Sequence, residues 1–414
     1  MSNNNDVIDS NYVDPSLLAQ YDEEDKYDPG AYVGGNVATP VYHNNQDQDL
    51  FESILEQAVM NEASDIHLLV GCQPLLRVSK ELQYLEFINE LTDLDLQNFI
   101  REIVNNNSKI MDLLQEQRLL DTHFKYKDTR FRVNISYTMD TPTITMRLIK
   151  QDLPAYDSLN LPSIIKDYVM NTQGLVLVTG KPGSGKSTTM SALVNEINEA
   201  ESKKILMLES PIEYVHQNKQ SIVVQKEVGP FGDCKSYHEG VINSLREDCD
   251  VLVVGEIRDK ETMDATIEMA ETGHLVLGTL HTNSCSETID RIINFYPTED
   301  QQTVKFMIAN CLKLVVSQRM LRGGYNNLVM IPEVLVIDDQ IGGMIKKDKF
   351  NSVEVEDAMQ SGRDRGNISI LFSLADAVND GKITVEQAKK EVDIRRHDLL
   401  LRVIAAGKQR KYLS

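Results

Sequence analysis

Gly180-Lys181-Pro182-Gly183-Ser184-Gly185-Lys186-Ser187 places glycines, a lysine and a hydroxyl at the spacing GxxxxGK[ST]. Glycines there let successive backbone N–H groups wrap a phosphate, and a helix starting at Lys186 adds its positive dipole end. Lys186 would reach the β- and γ-phosphates, and the Ser187 hydroxyl would hold Mg²⁺. The candidate nucleotide-binding residues are therefore Gly180, Pro182, Gly183, Ser184, Gly185, Lys186, Ser187 and Thr188, with Ser187 the candidate metal ligand. A phosphate loop alone does not separate a small-molecule kinase from a motor, so the acids matter. Cys249-Asp250-Val251-Leu252-Val253-Val254-Gly255-Glu256 reads as a buried strand ending in a carboxylate, at the sheet edge where ligands of parallel sheets lie. Glu256 is the candidate for orienting an attacking water. Gly255 stands where a metal-holding Asp is usual, which leaves Glu209 and Glu213, either side of Pro211, as candidate acids for the Mg²⁺ shell.

The elements that must position these groups are legible. Leu175–Val178, Ile205–Leu208, Val251–Val254 and Leu275–Leu280 are continuous apolar runs, as a parallel sheet covered on both faces requires. Met190, Leu193, Val194 and Ile197 recur at helical spacing, and Asp259 is placed to cap a helix that Gly273 ends. This predicts a three-layer α/β domain, followed by a strand over Leu328–Ile337 and mostly helical sequence to Ser414.

Upstream, the pattern changes. Leu50, Ile54, Leu55, Ala58 and Val59 fall on one helical stripe. Arg130–Tyr137 and Thr143–Leu148 alternate with period two, which sends Arg130, Arg132, Asn134 and Arg147 to the polar faces of their strands. Residues 1–46 are acidic and poor in apolar side chains, a composition that predicts a disordered tail. The expected order is a tail at 1–46, an α+β domain at 47–150, a linker at 151–162, the α/β core at 163–340 and a helical region at 341–414.

Composition narrows the class. The chain has 414 residues and a net charge of −21, with 42 Lys+Arg against 63 Asp+Glu, so general nucleic-acid binding is disfavoured and no nucleic acid is expected as partner. No stretch approaches the roughly 18 to 20 consecutive apolar residues of a membrane helix, and the first residues lack a signal-peptide pattern. A cytoplasmic protein without an integral membrane segment is expected. Its five cysteines contain no CxxC pair, which argues against a disulfide framework and a structural zinc site.

Five ordered motifs together resemble the PilT/PilU branch of the secretion ATPase superfamily. Ala63-Ser64-Asp65-Ile66-His67-Leu68 resembles the family's ASDxHL signature, and Arg130–Asn134 its RFRVN strand. Leu208–Tyr214 resembles the Asp box, Gly255–Asp259 the atypical Walker B, and Gly273–Thr282 the His box. The resemblance implies a PAS-like N-terminal domain joined to a RecA-like P-loop ATPase domain with a helical C-terminal region. It implies a homohexameric ATPase that uses ATP and Mg²⁺ to power pilus retraction and twitching motility at the cytoplasmic face of the membrane. Its implied partners are an inner-membrane platform protein at the pilus base and a paralogous pilus ATPase. The alternatives are an accessory PilU-like subunit and a related secretion or conjugation ATPase. By resemblance, Arg132 and Arg147 reach the nucleotide of a neighbouring subunit, and His281 either senses the γ-phosphate or supports a group that touches it. The sequence departs from the family at Ser210, where the Asp box has Asp, and at Gly342, where the retraction signature AIRNLIREGK has arginine.

Overall fold

A computed structural model describes residues 50–149, 153–230, 232–324 and 328–411. The expected tail at 1–46 lies outside the described residues, as does the start of the expected linker. The chain divides into two units, 1–53 and 54–414. Of the first, only 50–53 are described, the opening turn of helix α1 (Leu50–Met60). In the part of α1 belonging to the second unit, Ile54, Leu55 and Ala58 are buried, whereas Val59 is 40% exposed. The apolar stripe is thus narrower than its spacing predicts.

Six strands follow: β1 (Asp65–Leu69), β2 (Leu75–Val78), β3 (Glu81–Tyr84), β4 (Leu119–Tyr126), β5 (Thr129–Thr138) and β6 (Thr141–Leu148). They form one sheet in the order β3-β2-β1-β6-β5-β4, every pair antiparallel. Helix α2 (Asp93–Ile103) packs against β6, and helix α3 (Ser108–Gln117) precedes β4. Phe131, Val133 and Ile135 of β5 and Ile144 and Met146 of β6 are buried. That alternation fixes the register, because a one-residue slip would turn the apolar set to the opposite face.

The second sheet holds seven strands in the order β13-β12-β7-β11-β10-β8-β9. They are β7 (Gly174–Gly180), β8 (Lys204–Glu209), β9 (Ile222–Glu227), β10 (Val251–Val254), β11 (Leu275–Leu280), β12 (Leu312–Arg322) and β13 (Leu328–Val336). All neighbours run parallel except β12 and β13. The expected continuous burial is observed, and alternate residues serve opposite faces. Leu175 and Leu177 join a core with Leu206, Leu208, Leu252 and Val254. Val176 and Val178 face the other way, onto Ile165 and Val169 of helix α4 (Ser163–Asn171) and Met190, Leu193, Val194 and Ile197 of helix α5 (Lys186–Ala200). The first core is covered by α6 (Tyr237–Ser244), α7 (Lys260–Glu271), α8 (Cys285–Ile293) and α9 (Gln301–Cys311), among others. Asp259 caps α7 by accepting from the Thr262 N–H, and Gly273 follows it with φ +97°, as expected. The expected α/β class with an N-terminal α+β sheet is the one observed.

The chain then supplies helices α10 (Asp339–Ile345), α11 (Ser352–Ser361), α12 (Ile370–Asn379), α13 (Val385–Lys390) and α14 (His397–Lys411). Leu371 and Leu374 pack with Leu400, Ile404 and Ile331 in a separate apolar cluster.

Candidate functional site

Strand β7 runs directly into the glycine-rich loop, and α5 starts at Lys186 after Gly185 takes a left-handed conformation at φ +87°. Gly180 closes the strand where no side chain fits, since a Cβ there would lie 2.5 Å from the Gln318 carbonyl oxygen and 2.4 Å from Ser184 Oγ. Pro182 and Gly183 form the exposed tip, Ser184 is buried, and Ser187 and Thr188 are half-buried at the helix start. Thr188 Oγ1 lies 3.1 Å from the Tyr214 hydroxyl, which ties the first turn of α5 to the loop after β8.

Lys186 folds back over the loop. Its Nζ donates to the carbonyls of Gly180 at 2.9 Å and Lys181 at 3.2 Å, and to His281 Nδ1 at 3.4 Å. Burial lowers its pKa, and the charges of Glu256 and Glu213 act in the opposite sense. Because an ammonium only donates, His281 Nδ1 accepts, so the ring proton sits on Nε2. That nitrogen is 3.3 Å from Glu256 Oε1. Lys186, His281 and Glu256 therefore form one connected row between the phosphate loop and the end of β10.

Glu256 is also held by Arg258, whose Nη2 donates to Oε2 at 2.6 Å. Burial pushes the carboxyl upward, but the bonds from His281 and Arg258 outweigh it and hold the pKa down at about 2. Gly255 has a steric reason to replace the usual Asp. A Cβ there would meet the Leu208 carbonyl oxygen at 2.6 Å and the Tyr237 hydroxyl at 3.1 Å.

Glu209 ends β8 and is buried, with Gln225 Nε2 donating to its Oε2 at 2.9 Å. Burial pushes its pKa up to about 7, and Gln225 opposes this only partly. Glu213 is exposed. Ser187, Glu209 and Glu213 are a hard, all-oxygen donor set, the chemistry that suits Mg²⁺, which is bound through one or two carboxylates together with substrate phosphates and waters.

Arg132 and Arg147 point outward as their strand positions require, but they are not brought to this chain's phosphate loop. Arg132 is exposed and lines a cleft of about 170 Å³ with His123, Ser210, Pro211 and Glu227. Arg147 is paired with Asp65 at 2.8 Å. Arg130, on the same polar face as expected, bonds Glu227 at the end of β9 at 2.6 Å, where His123 also lies at 3.3 Å. His274 Nδ1 lies 3.0 Å from the Met269 carbonyl oxygen and from Thr272 Oγ1, a contact that finishes α7. Sequence reasoning assigned no role to Asp65, Arg258 or Glu227. Arg258 had a local signal, two residues after Glu256, whereas the other two depend on long-range pairing.

Residues 44–398 match the family described as type II/IV secretion system protein. The chain belongs to that family. It is similar to a twitching motility protein of Neisseria gonorrhoeae, 33% identical over 82% of this chain and 89% of that protein. It is similar also to a type IV pilus retraction ATPase, PilT, of Pseudomonas aeruginosa, 33% identical over 80% of this chain and 95% of that one. Among solved structures, the pilus retraction motor PilT with bound ADP superposes with a TM-score of 0.76 at 34% identity, covering 84% of this chain and 99% of that one. No helix among the described residues is long and apolar enough to cross a membrane.

Proposed function

We propose that this chain is the ATP-hydrolysing motor of type IV pilus retraction, working as a homohexamer at the cytoplasmic face of the membrane against a platform protein at the pilus base. The chain is an ATPase of the secretion family; its likeness to pilus retraction proteins over four-fifths of its length supports the retraction reading, and what carries hydrolysis is the row Lys186–His281–Glu256. It sets a cation for the β- and γ-phosphates beside a carboxylate that stays ionised. Residues 47–150 serve as the N-terminal domain, 151–162 as the linker, 163–340 as the ATPase core and 341–414 as the helical C-terminal region.

In this reading the loop Gly180–Thr188 binds the phosphates through backbone N–H groups and the start of α5. Lys186 exchanges its two carbonyl contacts for phosphate oxygens. Glu256, fixed by Arg258 and His281, accepts a hydrogen bond from the attacking water and orients it, and His281 senses the terminal phosphate. Ser187, Glu209 and Glu213 would hold Mg²⁺, which when bound would neutralise charge on the phosphate oxygens. Arg132 and Arg147 lie away from this chain's loop, so in this reading they serve the nucleotide of another copy.

Ser210 favours a second reading, an accessory subunit that assembles with a paralogous ATPase and turns over slowly, since it removes a carboxylate next to Glu209. Production of the chain in cells lacking their retraction motor separates the two. The motor reading expects twitching to be restored by the chain alone and abolished by Lys186→Ala, with nucleotide binding lost and the circular dichroism spectrum kept. Restoration only together with a paralogue would favour the accessory reading.

A further inference from the structure

The polar face of the first sheet carries an ordered row of charge. Asp65 on β1 stands directly opposite Arg147 on β6, Arg147 opposite Arg132 on β5, and Arg132 opposite His123 on β4. Like charges directly across neighbouring strands repel, so two guanidiniums side by side are a costly arrangement unless something compensates for them. His123, at the far end, is engaged with Glu227. Asp65 is the one carboxylate in the row.

Asp65 and Arg147 meet in a particular way. The Asp65 side chain is 8% exposed while that of Arg147 is 67% exposed. Arg147 uses Nε, donating to Asp65 Oδ1 at 2.8 Å. The other carboxylate oxygen, Oδ2, accepts from Ser64 Oγ at 2.8 Å. The guanidinium is therefore gripped at its inner nitrogen by an anchored carboxylate, and both terminal Nη groups are left facing outward. Among the described residues nothing bonds them, nor is the Arg132 guanidinium bonded. A planar fork held from behind is the geometry that receives a phosphate in bidentate fashion, and an arginine so held loses less side-chain entropy on binding. Burial works to raise the Asp65 pKa, but Arg147 and Ser64 outweigh it and hold the carboxyl below its ordinary value, so the grip is charged at any neutral pH.

We propose that Asp65 is a positioning residue: it holds the outward fork of Arg147, beside Arg132, for the nucleotide phosphates carried by a second copy of this chain. The proposal rests on the reading of Arg147 given above. It adds a residue more than eighty positions away in sequence that sets where the fork points, and it gives Asp65 in the ASDIHL segment a task other than packing.

The test is a double-mutant cycle on the full-length protein, reading ATPase turnover, KM for ATP and thermal unfolding. Asp65→Asn keeps the shape and one acceptor but removes the charge. It is expected to lower kcat about 10- to 100-fold, the scale of a misplaced catalytic group, with KM and unfolding temperature nearly unchanged. In an Arg147→Ala background the same change should lower kcat no further. Wild-type kcat for Asp65→Asn beside an impaired Arg147→Ala overturns the proposal and leaves the arginine reading intact. A further loss in the Arg147→Ala background overturns it as well, because Asp65 would then act through another group. Wild-type turnover of Arg147→Ala itself removes the arginine reading and the proposal together. If Asp65→Asn does not fold, Ser64→Ala decides: a fall in kcat that vanishes in the Arg147→Ala background supports the grip, and an unchanged kcat contradicts it.

Discussion

Glu209 is buried and Glu256 half-buried near strand ends, and their environments drive them apart. Glu256 has two cationic or N–H donors on its oxygens and stays ionised, while Glu209 has only an amide donor and two acidic neighbours, Glu213 and Glu227. Glu256→Gln should keep ATP binding and lower turnover on the order of 10²- to 10⁴-fold, the span of a lost general acid–base or water-orienting group. Binding of a fluorescent ATP analogue and phosphate release measure the two separately, and wild-type turnover would move the role to Glu209 or Glu213. Glu209 makes a pH prediction for the nucleotide-free protein. Its folded pKa is raised to about 7 from an ordinary 4.5, so its favourable contribution is complete below the unfolded value and is lost as pH rises through the folded one. The neutral Glu209→Gln protein should therefore unfold at a higher temperature than wild type at pH 8, with the gain shrinking towards pH 5. Equal shifts at both pH values would show that Glu209 does not titrate there.

At the scale of elements, the approach of β8 to the end of β10 determines what can stand before Glu256. Gly255→Ala would place a Cβ 2.6 Å from the Leu208 carbonyl oxygen, and backbone cannot yield as a side chain can. It should destabilise by about 1 to 3 kcal/mol, the range of an overpacked core, read from urea unfolding, and an unchanged midpoint would contradict the steric account. The same contrast explains what the sequence did and did not disclose. Strands β7, β8, β10 and β11 are legible because each is a continuous apolar run buried on both faces. Strand β12 is not, because Ser317 and Gln318 are buried in its middle and interrupt the apolar run. Gln318 is accommodated by Thr189 of α5, 2.7 Å away, a partner 129 positions distant. The edge strand β9 reads Ile222-Val223-Val224-Gln225-Lys226-Glu227, half polar, and its Gln225 and Glu227 are needed by Glu209 and Arg130. The phosphate loop, Glu256 and His281 could be picked out from local motifs. The Asp65–Arg147 grip could not, because it exists only through the pairing of β1 with β6.

At the scale of the whole molecule, the site within one chain holds the phosphate loop, the ionised Glu256 and His281, while the outward arginines stay on the first sheet, with Arg147 tied to Asp65. Arg130 and His123 fasten that sheet to the end of β9 through Glu227, so Arg132 faces a cleft shared with Ser210 and Pro211 and not the loop. The central claim is that hydrolysis needs Glu256 from one copy and Arg147 from another. Its most direct test is the phosphate-release rate of Arg147→Ala protein mixed with Glu256→Gln protein, after subunit exchange and across mixing ratios. Each parent alone should be nearly inactive, with Arg147→Ala reduced on the order of 10³-fold as for a lost arginine finger. Mixed assemblies contain interfaces that pair an intact Glu256 with an intact Arg147, so the account predicts activity above both parents that peaks at intermediate ratios. Full turnover by Arg147→Ala protein alone, or mixtures that never exceed the weighted sum of the parents although exchange is demonstrated, would contradict it.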